Sequence, residues 1–152
     1  WPVINAHDTD HFQVTLFDDS SNQQSQWDWL TNTDVQRVST GNLSNRQAAE
    51  VIQAHEIDIL VDLSAHSAPR RLGIFAHQPA PLSVAWFNQF ATSGFTEFRY
   101  LIGDASVIRD NEEPWYDETV LQLPLSYLTF QTNHPVPDVA TRPVAEGQPF
   151  VF

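Results

Sequence analysis

The chain has 152 residues, 41% of them hydrophobic, which is enough for one soluble domain with a sizeable core. Its formal net charge is −12, and all seven basic residues are arginines, so its surface repels nucleic acid and anionic membranes. With no cysteine it has no disulfide or thiolate metal site, and no apolar run approaches the ~20 residues that span a bilayer.

The first part of the chain alternates short helical and extended patterns. We expect the end of a helix over residues 1–7, a strand over 12–17, a short helix near 27–30 and a strand over 35–38. The chain contains no methionine and opens at Trp1-Pro2, so we expect it to be part of a longer protein.

A clearer helix begins after Ser44. Residues 44–47 read Ser-Asn-Arg-Gln, which fits the capping box, in which the first and fourth residues bond each other's backbone N–H groups. Apolar residues at 48, 51 and 52 follow at helical spacing. The sequence therefore predicts an amphipathic helix packed on a core.

The stretch over residues 57–71 organises the chain. Its aliphatic first half predicts a strand in the middle of a parallel sheet, covered by helices. A polar turn with His66 and Ser67 follows, and then a helix over about 68–77. Ser67 would be its N-cap, and Pro69 is tolerated in its first turn.

Three more strands are expected over residues 82–87, 100–104 and 119–123, with a loop over 88–94. Strands that alternate with helices predict a doubly wound, mostly parallel α/β domain with right-handed connections. The turns after Leu63, Phe87 and Leu123 should then open toward one edge, where open α/β sheets bind ligands.

Three segments of the chain match the pattern of a known protein family in their order and spacing. Residues 57–72 read IDILVDLSAHSAPRRL, residues 78–86 read QPAPLSVAW and residues 116–128 read YDETVLQLPLSYL. They resemble the segments IDILVDLSGHTAGNRL, RPAPVQVSW and YSEKVVRLPGSYL in the catalytic region of the protein O-GlcNAc transferase family, including its Spindly-like members. Residues 11–14 are also similar to that family's RFEV strand.

The resemblance implies a GT-B glycosyltransferase with two Rossmann-like halves. Residues 1–130 would be the N-terminal half without its opening strand, and residues 131–152 a proline-rich linker and the start of the C-terminal half. That second half holds most nucleotide contacts in the family, and tetratricopeptide repeats precede the first. This piece alone should therefore have little or no transferase activity.

The implied reaction moves a sugar, GlcNAc from UDP-GlcNAc, to a serine or threonine of a protein, with inversion and without a metal or other cofactor. GDP-fucose as donor, or glucose transfer to asparagine, are variants that the residues leave open. The implied partners are the protein acceptor, the nucleotide sugar, and the repeat and C-terminal segments of the same protein. The implied location is cytoplasmic.

The resemblance also assigns site residues. His66 stands at the histidine of the family's GHT motif and is the candidate catalytic residue, either touching substrate or relaying a proton. The alternative is a histidine that only ties its turn together. Asp62, late in the strand, either accepts backbone N–H bonds or acts as a catalytic carboxylate. The candidate substrate-binding residues are Ser67, Arg71, Thr92, Ser93, Gly94 and Tyr127.

Some of the substrate-binding candidates have structural alternatives. Ser67 would also serve as a helix cap, Arg71 would also pair with an acidic residue, and Tyr127 would also pack in the core.

Two loops depart from the family pattern. Ala65 replaces the glycine of GHT, and residues 89–91 read Gln-Phe-Ala where the family has tyrosine, proline and glycine. Lost glycines predict a tighter or differently shaped approach of the backbone to a ligand. They support a rival interpretation, a catalytically inactive homologue acting as a binding or scaffold module. A free-standing flavodoxin-like domain is a third interpretation, but no glycine-rich phosphate loop is present.

Overall fold

A computed structural model describes residues 2–20, 30–87, 91–130, 132 and 135–138. Within these residues there are two α-helices, α1 (Pro2–Asn5) and α2 (Asn45–Ala54). The described strands are six: β1 (Thr15–Asp18), β2 (Gln36–Ser39), β3 (Ile59–Asp62), β4 (Leu82–Ala85), β5 (Phe98–Asp104) and β6 (Thr119–Leu123). Short 3₁₀ helices cover Ala65–Ser67, Leu72–His77 and Glu113–Trp115.

The described strands form two parallel sheets. β1 pairs with β2, while the other four strands lie side by side in the order β3-β4-β5-β6. Every pair is parallel, with registers such as Ile59 opposite Leu82 and Tyr100 opposite Thr119. The predicted parallel α/β class is confirmed. Because the four strands of the larger sheet run the same way, the turns that follow β3, β4 and β6 open on one edge.

The predicted place of β3 in the middle of a covered sheet is wrong. Among the described strands, β3 pairs with β4 alone and is an edge of the larger sheet, since β1 and β2 form a sheet of their own. Leu60 and Asp62 are buried, whereas Ile59 is 53% and Val61 38% exposed. Period-two alternation therefore buries one face of β3 and leaves the other open.

The core lies on the buried face of the larger sheet. The capping box of α2 forms as predicted, because Ser44 Oγ accepts from the Gln47 N–H and Gln47 Oε1 accepts from the Ser44 N–H. The buried side of α2 packs against the 3₁₀ helix Leu72–His77 and the sheet. Phe75 and Phe98 meet at the centre, with ring centroids 4.5 Å apart.

The helix predicted over residues 68–77 is replaced by two 3₁₀ segments, and Ser67 is not its N-cap. Ser67 lies inside the first segment, where its N–H donates to the Ser64 carbonyl at 3.0 Å. Ala68 has φ −128° and ψ 62°, outside the helical region. A residue that precedes proline, here Pro69, is driven out of that region by steric contact with the ring. The longer 3₁₀ helix therefore begins only at Leu72.

The other boundaries agree with the sequence to within a few residues. β2 starts one residue later than predicted, β6 covers the predicted residues, and β1 starts at Thr15 rather than at residue 12. The helix predicted near 27–30 and most of the predicted linker lie outside the described residues. Among the described helices, none is long and apolar enough to cross a membrane.

Candidate functional site

Asp62 builds the turn at the carboxyl end of β3. Its carboxylate accepts hydrogen bonds from the N–H groups of Ser64 and Ala65, both at 3.0 Å. Burial raises the pKa of Asp62 above its ordinary value, and these two hydrogen bonds and the nearby His66 imidazole act in the opposite direction. The predicted backbone-acceptor role of Asp62 is confirmed.

Ala65 follows in the left-handed region, with φ +46°. Ala65 stands at the glycine of the GHT pattern that the sequence resembles, and glycine adopts this conformation without steric cost. Ala65 is 0% exposed, so its methyl group packs into the interior and adds no bulk to the outer surface of the turn. Whether Ala65 changes the approach of the backbone to a ligand stays a prediction.

His66 and Ser67 are exposed at the surface of this turn. The His66 Nε2 atom lies 3.3 Å from the Thr92 carbonyl oxygen, which joins the turn after β3 to the connection between β4 and β5. A carbonyl oxygen only accepts, so this contact requires the proton on Nε2 and leaves the lone pair of the neutral ring on Nδ1. The structure thus brings together two of the predicted site residues.

Thr92, Ser93 and Gly94 form a turn that Glu118 holds. Glu118 Oε1 accepts from the Ser93 N–H at 2.7 Å and from the Ser93 hydroxyl, and Glu118 Oε2 accepts from the Thr92 hydroxyl at 2.9 Å. Thr92 Oγ1 in turn accepts from the N–H groups of Gly94 and Asp117 at 3.2 and 3.3 Å. The hydroxyl groups predicted to bind substrate are hydrogen-bonded within the chain.

Glu118 was not identified from the sequence, yet a signal for it exists. It directly precedes β6, and period-two alternation places it on the same face as the half-buried Val120. Glu118 is only 4% exposed, and a glutamate is rarely buried to this extent unless its carboxylate oxygens accept hydrogen bonds. After burial and the Glu112 carboxylate, its charge also raises the pKa of the Tyr116 hydroxyl above the ordinary value.

Arg71 joins the 3₁₀ helix Leu72–His77 to the region around β2. Its Nη1 donates to the Leu43 carbonyl at 2.9 Å and to Asn45 Oδ1 at 3.1 Å. Its Nη2 donates to the Thr40 carbonyl at 3.1 Å and pairs with Asp19. The alternative in which Arg71 pairs with an acidic residue is therefore confirmed, and its side chain has a structural role.

Tyr127 is held at the carboxyl edge of the larger sheet. Its N–H donates to Asp104 Oδ2 at 2.8 Å, and its carbonyl accepts from Trp86 Nε1 at 3.1 Å. Tyr127 is buried, as its packing alternative predicted. Asp104 was not identified from the sequence, although it carries a recognisable signal, an aspartate that ends a strand two residues before a serine.

Asp104 closes the end of β5 much as Asp62 closes β3. Its Oδ1 accepts from the N–H groups of Ser106 and Val107 at 2.8 and 3.1 Å. The hydrogen bond from the Tyr127 N–H is the largest cause that holds the pKa of Asp104 below its ordinary value, although desolvation acts against it.

The remaining clusters lie away from these residues. A groove of about 630 Å³ lies at the amino ends of β3 and β4, and its lining includes the carboxylates of Glu56, Asp58 and Glu97. None of the predicted site residues lines it. Across the described part of the chain, no group of three or more histidine, aspartate or glutamate side chains is arranged to hold a metal ion.

Known proteins are similar to this chain in sequence and in fold. The sequence model of glycosyl transferase family 41 matches residues 3–148. A probable UDP-N-acetylglucosamine–peptide N-acetylglucosaminyltransferase SEC of Arabidopsis thaliana is 27% identical over 145 residues, 93% of this chain and 15% of the relative. A probable SPINDLY transferase of Solanum lycopersicum is 31% identical over 88 residues, 58% of this chain and 10% of the relative.

A solved structure agrees with these relatives. An O-GlcNAc transferase variant of Thermobaculum terrenum superposes with a TM-score of 0.73 at 31% identity, over 83% of this chain and 24% of that chain. The parallel α/β fold is thus that of part of a GT-B transferase. The chain spans about a quarter of that structure and no more than 15% of the two plant relatives. With a family match over residues 3–148, the chain belongs to glycosyl transferase family 41.

Proposed function

We propose that the protein containing this chain transfers GlcNAc from UDP-GlcNAc to serine or threonine side chains of other proteins. The relatives are named as peptide N-acetylglucosaminyltransferases, which supports the donor and the type of acceptor. This chain would form one wall of the cleft that binds the nucleotide sugar and the acceptor protein. The repeat and C-terminal segments of the same protein would complete that cleft. The reaction proceeds with inversion and needs no metal or further cofactor.

The observation that carries the proposal is the contact between His66 and the Thr92 carbonyl, at 3.3 Å on the surface of the turn after β3. Two segments that resemble the transferase pattern meet there, and both belong to the matched family region. Ligands of open α/β sheets bind at the carboxyl ends of the strands, and His66 lies just beyond the carboxyl end of β3.

The chemistry requires a group that accepts the proton of the attacking hydroxyl. The serine or threonine oxygen forms a bond to the anomeric carbon, the bond from that carbon to the diphosphate breaks, and the proton leaves the hydroxyl. With Nε2–H donated to Thr92, the lone pair of His66 is on Nδ1, and that atom would orient the hydroxyl or accept its proton. Stabilising the departing diphosphate would fall to the other half of the cleft.

The test uses the longer protein that carries this chain, incubated with a peptide library and UDP-GlcNAc, GDP-fucose or UDP-glucose. Mass spectrometry should find GlcNAc on serine or threonine with UDP-GlcNAc. His66→Ala should lower turnover by about 10² or more, the usual contribution of a positioned acid or base. His77→Ala, at another exposed histidine, is the matched control and should retain activity. Turnover with none of the donors, or with another donor but not with UDP-GlcNAc, would refute the proposal. Equal activity of the two variants would refute the role of His66 in the reaction.

A binding or scaffold role without catalysis is the second candidate. It is favoured by the internal hydrogen bonding of the Thr92 and Ser93 hydroxyls and of the Arg71 guanidinium, which are not offered to a ligand. Binding of UDP-GlcNAc or of an acceptor peptide without any turnover, measured by calorimetry on the same protein, would support it.

A further inference from the structure

Glu118 is a buried carboxylate whose partners all belong to one turn. It is 4% exposed, and its oxygens accept hydrogen bonds from the Ser93 N–H, the Ser93 hydroxyl and the Thr92 hydroxyl. Within the described residues it forms no ion pair with arginine or histidine, so these three donors are what stabilise it. Hydrogen bonds to a charged acceptor are the stronger ones, and removing a partner leaves a buried group unsatisfied.

Further hydrogen bonds restrict the turn that Glu118 holds, at both Thr92 and Ser93. The Thr92 hydroxyl donates to Glu118 and accepts from the N–H groups of Gly94 and Asp117, while the Ser93 hydroxyl accepts from the Phe95 N–H at 3.2 Å. These contacts fix the backbone of residue 92. The direction of the Thr92 carbonyl is thereby fixed as well.

That carbonyl is the partner of His66. Its oxygen lies 3.3 Å from His66 Nε2, and His66 is otherwise exposed on a three-residue 3₁₀ helix. An exposed imidazole on so short a segment has few contacts that restrict its rotation. The path from Glu118 to His66 therefore runs through the Thr92 hydroxyl, the backbone of residue 92 and its carbonyl oxygen.

We propose that Glu118 is a positioning residue for the reaction, holding the Thr92 carbonyl where it orients the His66 ring and keeps its proton on Nε2. The inference rests on the proposed function for its kinetic consequence, because it assigns His66 a role in transfer. The claim that Glu118 controls the orientation of the His66 ring depends only on the observed contacts and not on the proposed function. The Glu118 side chain itself does not touch the substrate.

The experiment is a double-mutant cycle in the longer protein with UDP-GlcNAc and an acceptor peptide. Glu118→Gln keeps the shape but replaces one accepting oxygen with a donor. It should lower kcat by about ten- to a hundred-fold, the loss expected when a reacting group is misplaced. In the His66→Ala background the same change should lower kcat by less than about two-fold, because the residue through which it acts is gone. Glu113→Gln, at an exposed glutamate nearby, is the matched control.

A purely structural role for Glu118 predicts a different result. It would lower the folded fraction, and with it kcat, by the same factor whether or not His66 is present. Equal losses of apparent kcat in the two backgrounds, or a loss that disappears after correction for the folded fraction, would therefore overturn the inference while leaving the proposed function intact.

A second readout does not require turnover. In protein labelled with [¹³C]histidine, the ring signals of His66, assigned by their loss in His66→Ala, should move in Glu118→Gln and stay in place in Glu113→Gln. Unchanged His66 signals in Glu118→Gln would overturn the inference. If the wild-type protein transfers no sugar but these signals move, the proposed function fails and the positioning of His66 by Glu118 stands.

Discussion

At the scale of single residues, Ala65 shows how a substitution changes the energy of a turn without changing its outer surface. Its left-handed φ of +46° is strained for a residue with a Cβ, and its position is wholly buried. The turn therefore keeps the backbone path that presents His66, and the strain is tolerated because Asp62 bonds the Ala65 N–H.

Ala65→Gly should cost less stability than Ala85→Gly, at a residue that is equally buried but extended within β4. Both changes lose a buried methyl group, worth about 0.8 kcal/mol. Both also add about 0.4–1 kcal/mol of unfolded-state freedom. Only Ala65→Gly relieves left-handed strain of about 1–2 kcal/mol, so its net effect should be close to zero.

Urea denaturation of the two variants measures this difference in the free energy of unfolding. Ala65→Gly should be the more stable of the two by about 1 kcal/mol or more. Equal losses would mean that the backbone at Ala65 carries no strain.

At the scale of elements, three of the six described strands end in an aspartate that closes the following turn. Asp18 at the end of β1 accepts from the Ser20 N–H at 2.9 Å, Asp62 at the end of β3 from Ser64 and Ala65, and Asp104 at the end of β5 from Ser106 and Val107. A carboxylate that bonds N–H groups two and three residues ahead stops the strand and starts the turn. At β3 and β5, these hydrogen bonds hold the turns at the carboxyl edge of the larger sheet, where the candidate site lies.

Asp62 and Asp104 should make opposite contributions to the pH dependence of stability. The pKa of Asp104 is lower in the folded state than its ordinary value of 3.8, so its stabilisation is present above that pH and is lost as pH falls through the lowered pKa. The pKa of Asp62 is raised, so its contribution is present below pH 3.8 and is lost as pH rises through the raised pKa.

The variants Asp104→Asn and Asp62→Asn separate these contributions. The difference in unfolding free energy between wild type and Asp104→Asn should shrink as pH falls below about 4, and the difference for Asp62→Asn should change in the other direction as pH rises. Urea unfolding from pH 2.5 to 7, at low protein concentration because the pI is near 4.5, measures both. The same trend in both variants would contradict the assignment.

At the scale of the whole molecule, the larger sheet has two unequal faces. α2 and the 3₁₀ helix Leu72–His77 cover one face, where Leu60 and Leu101 are buried. On the other face Ile59, Val61 and Leu121 are exposed by 53%, 38% and 41%. In the described residues the two faces of the larger sheet are therefore covered unequally.

Ile59→Lys should therefore change the stability of this chain by less than about 1 kcal/mol, because half of the side chain is already in water. Leu60→Ala, one residue later on the covered face, should cost about 2–5 kcal/mol. Thermal or urea unfolding of both variants distinguishes the faces. A cost for Ile59→Lys as large as that for Leu60→Ala would mean that the exposed face is covered after all.

The sequence by itself determined the local features. The parallel α/β class, the capping box at Ser44, the strand over residues 119–123 and the turn built by Asp62 all follow from short-range patterns, because neighbouring residues decide them. The resemblance of three segments to the transferase family also needed only the order and spacing of residues, and the family match over residues 3–148 agrees with it.

Only the tertiary structure decided which side chains meet. The sequence does not reveal that Glu118 bonds Thr92 and Ser93, 26 and 25 residues away, or that Arg71 reaches across to Asp19. It also placed β3 in the middle of a sheet, because an aliphatic run is the same in a central and an edge strand. Long-range pairing depends on how the chain folds back on itself, and that is a property of the packed molecule rather than of any one segment.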